Sequence, residues 1–208
     1  MKKCAVFTGG EILDYSRIDT SLFCDRMIIS ADSGYIHAKA MGIKTDILIG
    51  DFDSLEALPD DVGEIISFSS EKDDTDTMLA VKLALNKGFD DIIIVGGLGY
   101  RLDHTFANIQ TLAYIHENGA EGFIVSDNER IFFLQTSSLR LERLDGYSLS
   151  VFSFGEELSG VTLKGVKYPL NNAAVTNFFP IGVCNEISAE FAEIEVKSGK
   201  MLIIQSKI

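Results

Sequence analysis

Short, almost uninterrupted apolar runs, each stopped by glycine, serine or aspartate, constrain this chain more than anything else in it: "CAVFTGG", "DRMIISAD", "DILIGDFD", "EIISFSS", "DIIIVGG" and "GFIVSD". Runs of Ile, Val and Leu without alternation suit strands covered on both faces, the habit of parallel sheets. Between them lie three segments of helical character, "SGYIHAKAMG", "TDTMLAVKLALNKG" and "LDHTFANIQTLAYIHENG". The second and third close on Lys-Gly and Asn-Gly, where a helix commonly ends. Strands alternating with helices predict a doubly wound α/β domain with a mostly parallel sheet.

The pattern changes after "NERIFFLQTSSLRLERLDG". The segments "YSLSVFSF", "LSGVTLKGV", "NEISAEFAEIEV" and "KMLIIQSKI" are short, partly alternating and separated by Gly, Asn and Ser turns. They predict a small all-β domain. The boundary falls between residues 133 and 142, giving domains 1–136 and 137–208. A chain of 208 residues has room for such a pair.

Several function classes drop out on composition. The formal charge of −13 argues against broad attachment to nucleic acid or anionic lipid. No apolar run approaches the roughly 20 residues that span a bilayer. Glu11 and Asp14 interrupt the opening too early for a secretory signal, so it reads as a first buried strand. Cys4, Cys24 and Cys184 form no CxxC pair, which suggests neither a disulfide framework nor a zinc site. The expected compartment is the cytoplasm.

In open α/β sheets ligands bind where the strands end. That rule puts Asp32 after the second strand, Asp51 and Asp53 after the third, Asp73, Asp74 and Asp76 after the fourth, and Asp103 after the fifth. Asp73, Asp74, Asp76 and Asp103 stand at helix starts, where acidic side chains also serve as caps. Asp51 and Asp53 have no such role, because Ser54, Pro59 and Gly63 give the next segment little helical character. Two carboxylates one residue apart repel unless a cation lies among them, and Mg²⁺ is the usual partner of oxygen-only ligands. A metal ion between the Asp-x-Asp pair and a polyphosphate accounts for the arrangement.

Glycines fall at the same strand ends, in "TGG" (8–10), "ADSG" (31–34) and "GGLGYR" (96–101), where they let backbone N–H groups approach phosphate oxygens. None matches the dinucleotide or P-loop signatures. Lys72 and Arg101 are the cations placed to meet phosphate, Arg101 by a two-pronged contact, and each has a surface ion pair with nearby aspartates as its plainer role. His104 and Asn108 share a helix face beside them and either contact a nucleotide or serve structure. His37 and His116 read as surface or packing residues.

These blocks resemble the thiamine pyrophosphokinase (thiamine diphosphokinase) family. The likeness is carried by "ADSGYIHAKAMGIKTDILIGDFDS", "KDDTD", "GGLGYRLDHTFANI", "GVKYPL" and "CNEI", in order along nearly the whole chain. The resemblance implies an α/β catalytic domain followed by a β-sandwich domain that binds thiamine. It implies transfer of a pyrophosphoryl group from ATP to the hydroxyl of thiamine, giving thiamine diphosphate and AMP. Asp51, Asp53 and Asp76 would hold Mg²⁺, with Asp32 and Asp73 in the same acidic site. Lys72, Arg101, Asp103 and His104 would line the ATP side, together with Asn108. Tyr168, Cys184 and Asn185 would meet thiamine. The resemblance further implies a homodimer whose active sites are shared between subunits.

Four positions depart from the family pattern. Ser33 replaces the second glycine of "ADGG", Tyr100 replaces a glycine before Arg101, and Tyr168 stands where tryptophan is frequent. Cys184 replaces a serine before Asn185 and Glu186. A metal-dependent glycosyltransferase also uses Asp-x-Asp, but it leaves "KDDTD" and "RLDH" unexplained. A nucleotide sensor without turnover is the non-catalytic alternative.

Overall fold

The computed structural model describes residues 1–52, 57–68, 73–155 and 157–208. The chain forms two compact units, Met1–Asp127 and Asn128–Ile208.

The first unit carries β1 (Lys3–Phe7), β2 (Met27–Ala31), β3 (Ile47–Gly50), β4 (Glu64–Ser67), β5 (Asp91–Val95) and β6 (Glu121–Val125). These are the six apolar runs read from the sequence. They pair in parallel in the order β4-β3-β2-β1-β5-β6. All four residues of β3, and the last four of β1, β2 and β5, are buried, as uninterrupted apolar strands require. The outermost strand β4 is mostly exposed and short, which limits pairing with other chains.

The helices are α1 (Gly34–Ala40), α2 (Asp76–Asn86) and α3 (Leu102–Glu117). Two short 3-10 turns, Tyr15–Arg17 and Thr20–Phe23, link β1 to β2. In α2 the buried residues Thr77, Ala80, Val81 and Ala84 repeat at helical spacing and make one apolar face. Its N-cap is Thr75, whose hydroxyl accepts from the Met78 N–H at 3.2 Å, so the cap belongs to the threonine rather than to the adjacent aspartates. Beyond α3, Gly119 takes the left-handed conformation at φ +76°, so the Asn-Gly pair ends this helix as its sequence predicts.

Alternate residues of the strands serve different neighbours. Ala5, Phe7, Ile93, Val95 and Val125 join Ile28, Ala38, Ile18 and Phe23 in one cluster. Helix α2 touches β1, β2 and β3, while α3 touches β6 and α2. The chain winds outward from β1 through β4, then returns to the opposite side of β1 as β5. This reversal leaves a crevice at the carboxyl ends of β1 and β5.

The second unit carries β7 (Glu129–Gln135), β8 (Ser138–Glu142), β9 (Tyr147–Ser153), β10 (Leu158–Lys164), β11 (Leu170–Val175), β12 (Phe191–Glu195) and β13 (Lys200–Lys207). No helix occurs among its described residues. β13 pairs antiparallel with β7 and β9, and a four-stranded antiparallel sheet runs β11-β10-β12-β8. Inward Ala192 and Ile194 alternate with exposed Glu193 and Glu195 in β12, as a sheet with one buried face demands. Leu149, Val151, Leu158, Val161, Ile194 and Ile203 belong to one core. The compact unit opens at Asn128 with β7, which pairs with the last strand, β13.

Candidate active site

The crevice holds a cavity of about 390 Å³. Its first wall is Thr8, Gly9 and Gly10, which leave the end of β1. Thr8 is tied in two directions: its N–H donates to Val95 O at 2.9 Å, and its hydroxyl lies 2.7 Å from that of Thr77 on α2. A Cβ on Gly9 would stand 2.0 Å from Ser33 Oγ, and one on Gly10 would stand 2.0 Å from the Gly96 carbonyl. Gly10 is therefore demanded by close approach of backbone, whereas at Gly9 the Ser33 hydroxyl can turn aside. Ser33 itself has helical geometry (φ −60°, ψ −11°), so glycine is not needed there.

The second wall is acidic. Asp32 follows β2 with φ +48°, and its Oδ1 is buried with no hydrogen-bond partner among the described residues. Asp76, in the first turn of α2, also lines the cavity. Asp51 is half-buried at the end of β3, one strand beyond Asp32, and is not among the lining residues. Asp73 is exposed and also outside the lining, and Asp74 turns to Lys82 at 2.6 Å. Asp53 and Lys72 lie outside the described residues. Among the described residues no three His, Cys, Asp or Glu side chains gather closely enough to hold a metal ion.

The third wall comes from β5 and α3. Arg101 and His104 line the cavity. Arg101 grips Asp103 through Nη2 at 2.5 Å and Nε at 3.1 Å, which holds the Asp103 carboxyl below its usual range. Both side chains are exposed, so solvent screens the pair and a phosphate can compete for the guanidinium. Asn108 is buried and its Nδ2 donates to the Gly97 carbonyl at 2.8 Å, bracing the loop after β5.

Three groups here escape sequence reasoning. Thr8 and Thr77 carry no signal, because 69 positions separate them. His37 reads as a surface or packing residue, yet its Nε2 lies 2.8 Å from Gly10 O and its Nδ1 lies 2.9 Å from Tyr15 Oη.

In the second unit Tyr168 is exposed and Asn185 is buried. Asn185 braces Tyr168: its Oδ1 accepts from the Tyr168 N–H at 3.0 Å, and its Nδ2 donates to Tyr168 O at 2.7 Å. The Tyr168 ring is thereby presented on a fixed backbone, 5.6 Å from Lys167 Nζ. Cys184 is exposed with φ +56°, and its N–H donates to Ser150 Oγ.

A parallel sheet with glycine-walled loops, an Asp32 oxygen unpartnered among the described residues and an arginine at its crossover defines an α/β domain suited to a polyphosphate nucleotide. Comparison with known proteins makes this specific. Residues 20–124 match the model described as thiamin pyrophosphokinase, catalytic domain, and residues 137–201 match the thiamin pyrophosphokinase, vitamin B1 binding domain. The chain belongs to the thiamine pyrophosphokinase family, whose members carry out ATP-dependent pyrophosphoryl transfer to thiamine. It is 28% identical over 184 residues to the thiamine pyrophosphokinase of Bacillus subtilis (strain 168), covering 86% of each chain. The crystal structure of thiamine pyrophosphokinase from Bacillus subtilis matches with a TM-score of 0.86 at 25% identity, over 100% of both chains. That of thiamin pyrophosphokinase from Candida albicans, at 17% identity, shares the fold with a TM-score of 0.81, over 100% of this chain and 89% of that one.

Proposed function

We infer that this chain transfers the pyrophosphoryl group of ATP to the hydroxyl of thiamine, giving thiamine diphosphate and AMP. One observation carries the reading: the crossover cavity sets the Thr8–Gly10 backbone and Arg101 around a space that Asp32 and Asp76 also line. The glycine N–H groups and Arg101 suit phosphate oxygens, while the carboxylates suit a hard cation.

The chemistry of the donors, carboxylate oxygens only, suits Mg²⁺. A buried carboxylate oxygen without a hydrogen-bond donor is costly unless a cation or proton meets it. We assign Asp51, Asp53 and Asp76 as the residues that would hold the ion, with Asp32 and Asp73 in the same acidic field. Bound Mg²⁺ would supply neutralising charge to the phosphate oxygens. The chain's own work is positioning. Arg101 and Lys72 balance charge on the leaving phosphate, His104 borders the nucleotide, Asp103 orients Arg101, and Asn108 fixes the Gly97 loop. The negative field draws in the cationic thiazolium of thiamine.

The finer assignments belong to the same reading. The N-terminal unit is doubly wound, supported by apolar contacts made by alternate residues of its strands. The C-terminal unit is a β-sandwich, supported by a core that draws on both of its sheets. The catalytic role extends over 1–136 and thiamine binding over 137–208. Thiamine meets Tyr168, Cys184 and Asn185, with Tyr168 offering a ring to its heterocycles. The enzyme is a cytoplasmic homodimer with active sites shared between subunits; among the described residues no helix is long and apolar enough to cross a membrane.

Incubation with Mg-ATP and thiamine tests the reaction. AMP and thiamine diphosphate accumulate together if it is right; ADP as the nucleotide product, or turnover indifferent to thiamine, overturns it.

A further inference from the structure

The peptide unit that leaves Gly10 is held from both sides. Its N–H, on Glu11, donates to Leu98 O at 2.7 Å, and its carbonyl, on Gly10, lies 2.8 Å from His37 Nε2. A carbonyl only accepts, so Nε2 must carry the proton. Burial lowers the pKa of His37 from its ordinary value near 6.5, which favours the neutral ring. In that neutral ring Nδ1 is an acceptor, and the Tyr15 hydroxyl, 2.9 Å away, donates to it. Both ring nitrogens are thus engaged and the tautomer is set by the partners.

The ring also lies beside the other loop of the cavity. A Cβ on Gly96 would lie 3.4 Å from His37 Cδ2. His37 sits on α1, and that helix starts at Gly34, where an added Cβ would stand 2.1 Å from Phe7 O. One imidazole therefore connects the loops after β1 and β5 to the helix just beyond Asp32. Among the described residues the N–H groups of Gly9 and Gly10 find no acceptor.

We propose that His37 is a positioning residue for the nucleotide: by fixing the Gly10 carbonyl it keeps the Gly9 and Gly10 N–H groups set for polyphosphate oxygens. The proposal rests on the reading of this cavity as the ATP site. A side chain that only filled space would need neither nitrogen engaged. A positioning residue needs Nε2 in particular, and the amide of glutamine reaches the place of Nε2 whereas that of asparagine reaches the place of Nδ1.

The test compares wild type, His37→Asn, His37→Gln and Tyr15→Phe in the full-length chain. The KM for ATP, the KM for thiamine and kcat are measured separately, and binding of a methylene-bridged ATP analogue is read by calorimetry without turnover. His37→Asn should raise the ATP KM and the analogue Kd about tenfold, while kcat and the thiamine KM stay within about twofold, the signature of lost uniform binding. His37→Gln should restore both to within about threefold of wild type. Tyr15→Phe should fall between them. An unchanged ATP KM in His37→Asn, or equal losses in the Asn and Gln variants at equal Tm, overturns the role. Should His37→Asn fail to fold, loss of analogue affinity in a folded His37→Gln overturns it as well. Analogue binding that behaves as expected while thiamine is not turned over would sink the reaction and leave the positioning role standing.

Discussion

Tyr100 occupies the left-handed region at φ +54°, between Gly99 at φ +81° and Arg101, and is an 83% exposed residue lining the cavity. Tyrosine there is strained, and a glycine would relieve the strain while raising the entropy of the unfolded chain. Tyr100→Gly should therefore stabilise the fold by about 0.5–1 kcal/mol, read by urea denaturation. Unchanged or lower stability would contradict the strain. The residue departs from the family pattern; the backbone keeps the conformation that glycine prefers. For the carboxylates proposed to hold the ion, Asp51→Ala and Asp76→Ala should leave folded proteins with turnover reduced by at least ~100-fold. Near-normal kinetics in both would remove them from the metal role. The two part-buried histidines give a pH dependence of stability. Burial lowers the pKa of both His37 and His116 below their ordinary 6.5. As pH falls from 6.5 toward those lower values, the unfolded chain binds more protons than the folded one, so stability is complete above 6.5 and declines below it. Melting curves between pH ~5 and ~7.5 should show this decline, and His37→Gln should shrink it. At this scale the sequence disclosed residue types but not their partners. Asn108, expected beside the nucleotide, does line the cavity, yet its amide holds the Gly97 carbonyl.

The runs that became β1, β2, β3 and β5 were legible because a strand buried on both faces leaves no polar position to obscure its length. α2 and α3 were legible from spacing and from Lys87-Gly88 and Asn118-Gly119 at their ends. The cap of α2 was less so: aspartates and threonine compete for that position in sequence, and only the backbone path into the helix chose Thr75. Elements are also joined by contacts that no local pattern announces. At the start of β2, Arg26 reaches across β1 to Asp91 at the start of β5, with contacts of 2.8 and 2.9 Å to the carboxylate and a further 2.7 Å contact to Leu22 O. The Arg26 side chain is only 9% exposed. Removing the cation strands a largely buried carboxylate, so Arg26→Met should cost about 3 kcal/mol of stability in urea denaturation. A loss below about 1 kcal/mol, the scale of a surface pair, would show that solvent reaches it. Cys4, whose carbonyl lies 3.3 Å from Arg26 Nη1, has its thiol pKa pushed up to about 12 by burial and is a packing residue rather than a nucleophile.

The whole molecule carries thirteen excess negative charges, and its C-terminal unit spans only Asn128–Ile208. A β unit that small commonly gains stability by association, so sedimentation at assay concentrations should show a species of twice the 22.8 kDa protomer mass. A 22.8 kDa species alone would exclude the dimer and with it a shared active site. Local sequence determined which segments are strands and helices and which strand ends carry acid. Those properties depend on residues a few positions apart, through backbone sterics and the period of burial. Tertiary structure alone decided that Thr8 meets Thr77, that His37 meets Gly10, and that, among the described residues, one Asp32 oxygen has no partner while Asp74 is taken by Lys82. Most of these arise from a strand order in which the chain turns back across β1, a pairing of distant segments whose outcome no short stretch encodes.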